Sequence, residues 1–339
     1  MALMALIKVK VTNKGSNKIK QVSRHVERTK TIRVVIINYP GAMQSAVYGL
    51  LELLNLANKI IADEQLAMTF SAQITTPEKL SADEEGAFDL TPEVIILPPN
   101  LDGEYYLNAG QPLLNFLKQS HQAGSTLCSA CAGAFILAQT SLLTNRTATT
   151  HWGLADQLQR EYPQIRLKSE SILINDGDIV SAGGLMSWLD LGLELVGQYA
   201  KPHVMRKLGK YLIVDTGKRE QRYYQSFTPI FDHGNQAMLA VQHYIQANYD
   251  TKLNNKVLAG VAHTSERTLI RQFTQATGLK PVQYIQRLRV QKACDMLESS
   301  ALSFEQIALS LGYEDASSLR KVFVKIVGLA PSEFRARFI

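Results

Sequence analysis

The chain has 339 residues, 46% of them apolar and 19% charged, enough for two domains with cores of their own. No apolar run reaches the length that spans a bilayer, and three cysteines, Cys128, Cys131 and Cys294, give no disulfide framework and point to a reducing cytoplasm. The net charge of +6 is uneven: residues 1–33 carry nine Lys/Arg against one acid, residues 34–233 fourteen against twenty-one, and residues 234–339 thirteen against eight. The acidic middle is therefore expected to face away from a polyanion, and the C-terminal part to meet it.

Residues 1–30 are Lys-rich, with little apolar periodicity after Ile7, and the apolar start is too short and wrongly flanked for a secretory signal. They read as a basic disordered tail or an upstream start, with an accessory DNA-binding arm as the other reading. Ile32 to Asn38 is a buried parallel-type strand, and a turn at Tyr39-Pro40-Gly41 leads into a helix through about Ile60. Val94 to Leu97 is a second strand ending at Pro98-Pro99, and a helix from about Pro112 to Gln122 follows. Strands alternating with helices predict an α/β parallel sheet with its ligand site at the strand C-terminal ends.

The next strand stops at Cys131 among Ala130, Ala132, Gly133 and Ala134 and turns into a helix, the layout of a nucleophile elbow. A helix N-terminus there would favour the thiolate, and His151 is a candidate partner in space. Cys131, Gly133 and His151 are expected to line a small-molecule pocket, with a purely structural Cys–His pair as the plainer reading. Cys128 and Cys131 are formally C-x-x-C, but the first lies inside the strand. No second Cys or His pair has matching spacing for a metal, and no cofactor is expected. Trp152 and Trp188 read as core, although an aromatic beside the pocket could hold a quaternary ammonium. Residues 206–233 read as a closing helix and a linker after a first domain at 31–205.

Residues 234–339 contain a unit written twice at an offset of fifty. Val257 matches Ile307, Leu269 matches Leu319, Phe273 matches Phe323, Gly278 matches Gly328 and Pro281 matches Pro331. Each unit reads as helix, turn, helix, with Ser265 and Asp315 as N-caps. Leu at cap plus four and Phe at cap plus eight share one face. Arg267, Arg271 and Thr274 lie on the other face of the first such helix, and Ser317, Ser318 and Lys321 on that of the second. Hydrogen-bonding and cationic side chains on a short helix suit a major groove, so Arg267, Thr268, Arg271, Ser317, Ser318 and Lys321 are the candidate DNA contacts. A longer helix at about 282–298 joins the units; its narrow polar stripe implies cover from more than one side.

Ser265-Glu266-Arg267-Thr268-Leu269, Phe273, Gly278-Leu279-Lys280-Pro281, Leu311-Gly312-Tyr313, Gly328, Pro331 and Arg335 resemble the AraC/XylS-type double helix-turn-helix domain. Cys131-Ala132-Gly133, Ala148-Thr149-Thr150-His151, Asp176-Gly177 and Ser181-Ala182-Gly183-Gly184 resemble the PfpI/ThiJ superfamily of the class I glutamine amidotransferase-like fold. Together they are similar to GlxA-type transcriptional regulators. The resemblance implies a flavodoxin-like α/β domain followed by an all-α double helix-turn-helix domain. It further implies promoter DNA as partner, a homodimer, and an amine, betaine or amino acid as effector; the lack of a long apolar run implies no membrane association. Catalytic relatives carry an acid where this chain has Ala46, and glycines where it has Pro98-Pro99. Those departures leave a degenerate elbow and no catalytic residue. The competing classes are a cysteine-dependent hydrolase or deglycase-like enzyme with a DNA-binding appendage, and a ligand-free architectural DNA binder.

Overall fold

The computed structural model describes residues 29–80, 91–217 and 219–339; the expected basic tail at 1–30 falls almost wholly outside them. Strand β1 (Lys30–Ile37) is buried over its last four residues and leads to helix α1 (Gln44–Asp63). Strand β2 (Met68–Thr75) follows, then β3 (Val94–Leu97), helix α2 (Gln111–Gln122), β4 (Thr126–Ala130) and α3 (Gly133–Gln139). Short strands β5 (Thr147–Ala148) and β6 (Arg166–Leu167) flank helix α4 (Ala155–Glu161) and pair with each other. β7 (Leu173–Asn175) and β8 (Ile179–Ala182) then form a hairpin, and helices α5 (Trp188–Tyr199) and α6 (Pro202–Leu212) complete this part.

The main sheet runs β2-β1-β3-β4-β8-β7, parallel except for the antiparallel edge β7. Its central strands β3, β4 and β8 are buried at every residue, as strands covered on both faces must be. α1, α5 and α6 pack together as one layer, while α2 and α3 pack with each other. Chain order reverses between β1 and β3, which opens a crevice for a ligand at their C-terminal ends, next to the end of β4. α6 belongs to this core through fully buried Val204 and Leu208.

An ionic cluster closes one corner. Arg146 holds Asp176 at 2.7 Å and also bonds Asp178, which sits 2.6 Å from His121 at the end of α2. The Arg146 guanidinium, helped by His121, keeps the Asp178 carboxyl well below the usual carboxylate range. A depressed folded-state pKa means the stabilisation is complete above the unfolded value of about 4 and is lost as pH falls below it. Asp178 is half exposed, so Asp178→Asn should cost less than about 1 kcal/mol at neutral pH. Denaturant midpoints should show that cost shrinking between about pH 5 and pH 2; a cost independent of pH would exclude the ion pair as its source.

The C-terminal helices are α7 (Gln236–Ala247), α8 (Asn255–Val261), α9 (Glu266–Thr277), α10 (Pro281–Ser299), α11 (Phe304–Ser310), α12 (Ala316–Val327) and α13 (Pro331–Phe338). They enclose two small cores. Met238, Val241, Leu258, Leu269 and Phe273 form one with Tyr284, Ile285 and Leu288. Ile307, Leu311, Leu319, Phe323 and Phe334 form the other with Val290, Ala293, Cys294 and Leu297. α10 thus gives its first half to one core and its second half to the other, which explains its narrow polar stripe. Arg335 donates to the carbonyls of Leu297, Ser300 and Leu302 and so satisfies the end of α10.

Candidate ligand site and nucleic-acid interface

Cys131 sits between β4 and α3 with φ +53°, the left-handed conformation of an elbow residue that is not glycine. Its N–H donates to Ala182 O (2.8 Å) and its carbonyl accepts from Thr150 Oγ1 (2.8 Å), so the ends of β4, β8 and β5 are stitched together there. Gly133 is fully buried, and a Cβ on it would lie 2.6 Å from Leu97 O. Its lack of a side chain therefore lets α3 approach β3. His151 caps the short turn Trp152–Leu154, its Nδ1 accepting from Gly153 N–H at 3.0 Å, and its ring stacks on Trp152.

This geometry corrects the expectation of a favoured thiolate. Burial pushes the Cys131 thiol up to about 11, outweighing the backbone N–H of Ala132 that favours the anion. α3, with only seven residues, does not offset that desolvation. Among the described residues no hydrogen bond joins Cys131 to His151. Burial also lowers the His151 pKa, keeping the ring neutral. With Nδ1 occupied as an acceptor, the ring proton resides on Nε2, so His151 has no free nitrogen to take a proton from the thiol. Ala46 is fully buried in α1 and brings no carboxylate. The parts of a thiol catalyst are not assembled. At pH 7 the thiolate fraction of Cys131 should be about a hundredfold below that of an ordinary cysteine. Iodoacetamide should therefore label Cys131 in the native chain far more slowly than in the unfolded one; equal rates would restore a reactive elbow.

Cys128 and Cys131 are free thiols, and burial raises the Cys128 thiol strongly. Trp188 is buried, whereas Trp152 is half-buried and borders a cleft of about 940 Å³ between the α/β part and the C-terminal helices. Phe227, Tyr284 and Arg287 line its far side. A cavity of about 520 Å³ lies between the loop at Asn108 and the segment at Tyr162. Neither is lined by Cys131, Gly133 or His151.

What fills the space beside the elbow is Gln221, a residue of the segment between the two parts and only 3% exposed. No periodicity or motif marks a single glutamine in a polar linker, so sequence alone does not single it out. Thr149 and Thr150 are two of its partners.

The C-terminal face repeats with high fidelity. α9 and α12 each have twelve residues; Ser265 accepts from Thr268 N–H and Asp315 from Ser318 N–H. Gly278 and Gly328 end them at φ +71° and +86°, a conformation glycine adopts without strain. Arg267, Arg271 and Gln275 are exposed at one-turn intervals along α9, and Ser317, Lys321, Val324 and Lys325 are exposed on α12. Among the described residues Arg267, Arg271 and Lys321 form no ion pair. Three of the expected side chains have local partners. Thr274 is half-buried and its hydroxyl bonds Ile270 O, so Gln275 continues the exposed row instead. The Thr268 hydroxyl accepts from Ser265 Oγ, and Ser318 Oγ donates to Asp315. Both hydroxyls thus take part in the caps, and Ser318 is exposed as Ser317 is. Arg320 is drawn toward Glu305 and the Phe304 ring.

Two capped helices of equal length, each showing a cationic or hydroxylic face and joined by α10, define a double helix-turn-helix protein of the DNA-binding class. Ahead of them stands a flavodoxin-like domain with a sealed elbow. Comparison with known proteins gives the same two halves. Residues 60–198 match the DJ-1/PfpI family and residues 258–337 a helix-turn-helix domain. The chain is thus similar to the DJ-1/PfpI family in one part and to helix-turn-helix domains in the other. It is 25% identical over 301 residues to the HTH-type transcriptional regulator CdhR of Pseudomonas aeruginosa, covering 88% of this chain and 89% of that one. It is 25% identical over 222 residues to the HTH-type transcriptional regulator GlxA of Rhizobium meliloti, covering 65% and 68%. Drosophila melanogaster DJ-1beta resembles it with TM-score 0.43 and 15% identity over 55% of this chain and 99% of that one.

Proposed function

We infer that the protein is a sequence-specific DNA-binding transcriptional regulator whose α/β domain binds a small metabolite without turning it over. The observation that carries the first half is the duplicated pair α9 and α12, each capped and each turning exposed polar side chains outward. α10 has nineteen residues and so spans about 28 Å, close to the roughly 34 Å between successive major grooves on one side of the duplex. The second half rests on the elbow: a non-catalytic thiol at the strand ends where this fold takes ligands. We take the working form to be a cytoplasmic homodimer on promoter DNA, since a regulator works where the DNA is and dimers read paired half-sites.

Selection of bound sequences from a random library, followed by footprinting, tests the DNA reading. Two protected half-sites are expected, and uniform binding to all sequences would reduce the protein to an architectural binder. A thermal-shift screen of the full chain against amines, betaines, amino acids and primary amides tests the sensor reading. A ligand at a hundred times its Kd should add about 2.7 kcal/mol. Consumption of a hit over hours would instead support the enzyme.

A further inference from the structure

Gln221 is built into the first domain more tightly than a linker residue needs to be. Its carboxamide oxygen accepts from Trp152 N–H (3.2 Å) and Gly184 N–H (3.1 Å). Its nitrogen donates to Thr149 Oγ1 (3.2 Å), Thr150 O (2.9 Å) and Ser171 O (2.9 Å). Two backbone N–H groups at one end and two carbonyls at the other fix the orientation of the amide. A Cβ on Gly183 would lie 1.8 Å from its nitrogen, so that glycine forms the floor of the seat. The backbone joins in: Gln221 N–H donates to Glu170 O (2.8 Å), and Glu220 bridges Ser171. Thr150 also bonds the carbonyl of Cys131, which puts the seat directly beside the elbow.

The next three residues face the other way. Arg222 lies under the C-terminus of the second recognition helix, where a Cβ on Gly328 would meet its Nε at 2.1 Å. Arg337 of α13 donates to Tyr224 OH (3.2 Å) and stacks over Tyr223 at 5.3 Å, while Tyr224 packs edge-on against Phe338. A single turn, Gln221–Tyr224, therefore joins the seat beside Cys131 to the end of α12.

We propose that this seat is a primary-carboxamide receptor that the chain keeps filled with Gln221, and that a free ligand bearing a primary carboxamide competes for it, releasing the turn from the second recognition helix. The hydrogen-bond pattern selects the class. A carboxylate would set a second oxygen against the Thr150 and Ser171 carbonyls, and a quaternary ammonium has no N–H to give and nothing for the Trp152 and Gly184 amides. Trp152 and Arg222, on either side of Gln221, line the cleft of about 940 Å³, which gives a ligand its approach. The proposal rests on the sensor reading above and supplies its ligand class and its coupling.

The test uses hydrogen exchange on the full chain. Gln221→Ala removes the carboxamide and one methylene, which is the shape of acetamide. Exchange at the Trp152 and Gly184 amides and along residues 221–224 is expected to rise about tenfold or more; millimolar to molar acetamide should bring the two amides back while residues 221–224 stay high, and acetate or tetramethylammonium should restore neither. Should that variant not fold, Gln221→Met keeps the volume without the hydrogen bonds and should show the same rise at the two amides. Unchanged exchange at those amides in the variants would overturn the proposal, as would acetamide failing to restore protection in the alanine variant or acetate restoring it equally. DNA affinity is read on the same samples. A seat that behaves as expected while acetamide changes neither the exchange of residues 221–224 nor the DNA affinity of the wild-type chain would overturn the release step. A wild-type chain that never binds specific DNA would overturn the regulator reading and leave the exchange result standing.

Discussion

Phe323→Ala is expected to cost about 3–5 kcal/mol and to unfold the second helix-turn-helix unit before the rest of the chain. Phe323 is fully buried in α12 and meets Phe304 and Phe334 edge-on at 5.9 and 5.7 Å, so truncation removes transfer energy and two aromatic contacts and leaves a cavity. The unit is small, built from α11, α12, α13 and half of α10, and has little other apolar surface with which to compensate. Because the two helical cores share little beyond α10 and the Tyr249 side chain, the loss should stay local. Amides of α11 to α13 should lose protection from hydrogen exchange, while those of α8, α9 and the parallel sheet keep theirs. Phe273→Ala should produce the mirror result, since Phe273 packs edge-on against Tyr284 in the first core. Uniform loss of protection over the whole chain would mean that the two cores fold as one.

The helical repeat was legible because everything that specifies it is local. A cap residue, an apolar side chain four positions on and another at eight fix a short helix and its buried face without reference to the rest of the chain, and Ser265 and Asp315 cap where that pattern places them. The parallel sheet was half legible. The apolar runs of β1, β3 and β4 stand out, but β2 alternates exposed Ser71 and Gln73 with partly buried residues and the two- to four-residue strands β5 to β8 are too short to carry a period. The elbow was visible as a run of small residues around Cys131. Its chemistry was not, because the thiol pKa and the His151 tautomer are set by burial and by one backbone N–H brought in by the fold. Gln221 lies at the far end of that scale: all five of its carboxamide partners come from residues 37 or more positions away.

The loss on replacing Arg271 with Ala should separate base reading from phosphate contact. Arg271 is exposed on α9, one turn beyond Arg267 and six residues past the Ser265 cap. Arg267 lies in the first turn, where the helix end itself attracts phosphate, whereas Arg271 sits deeper along the face that would enter the groove. A guanidinium there can bond the N7 and O6 edge of a guanine at two points. Arg271→Ala is therefore expected to cost about 1–3 kcal/mol on the selected site and to relax its preference at one base pair, with little change on random DNA. A phosphate contact would behave differently: affinity would fall alike on all sequences, and the salt dependence of binding would lose about one counterion. The fold should not be disturbed, since the side chain is exposed and Ala is a better helix former than Arg. Affinities at two or three salt concentrations, on the selected site and on a scrambled one, distinguish the cases. Equal losses on both duplexes would shift the search for base contacts to Gln275 and to Ser317 and Lys321 on α12.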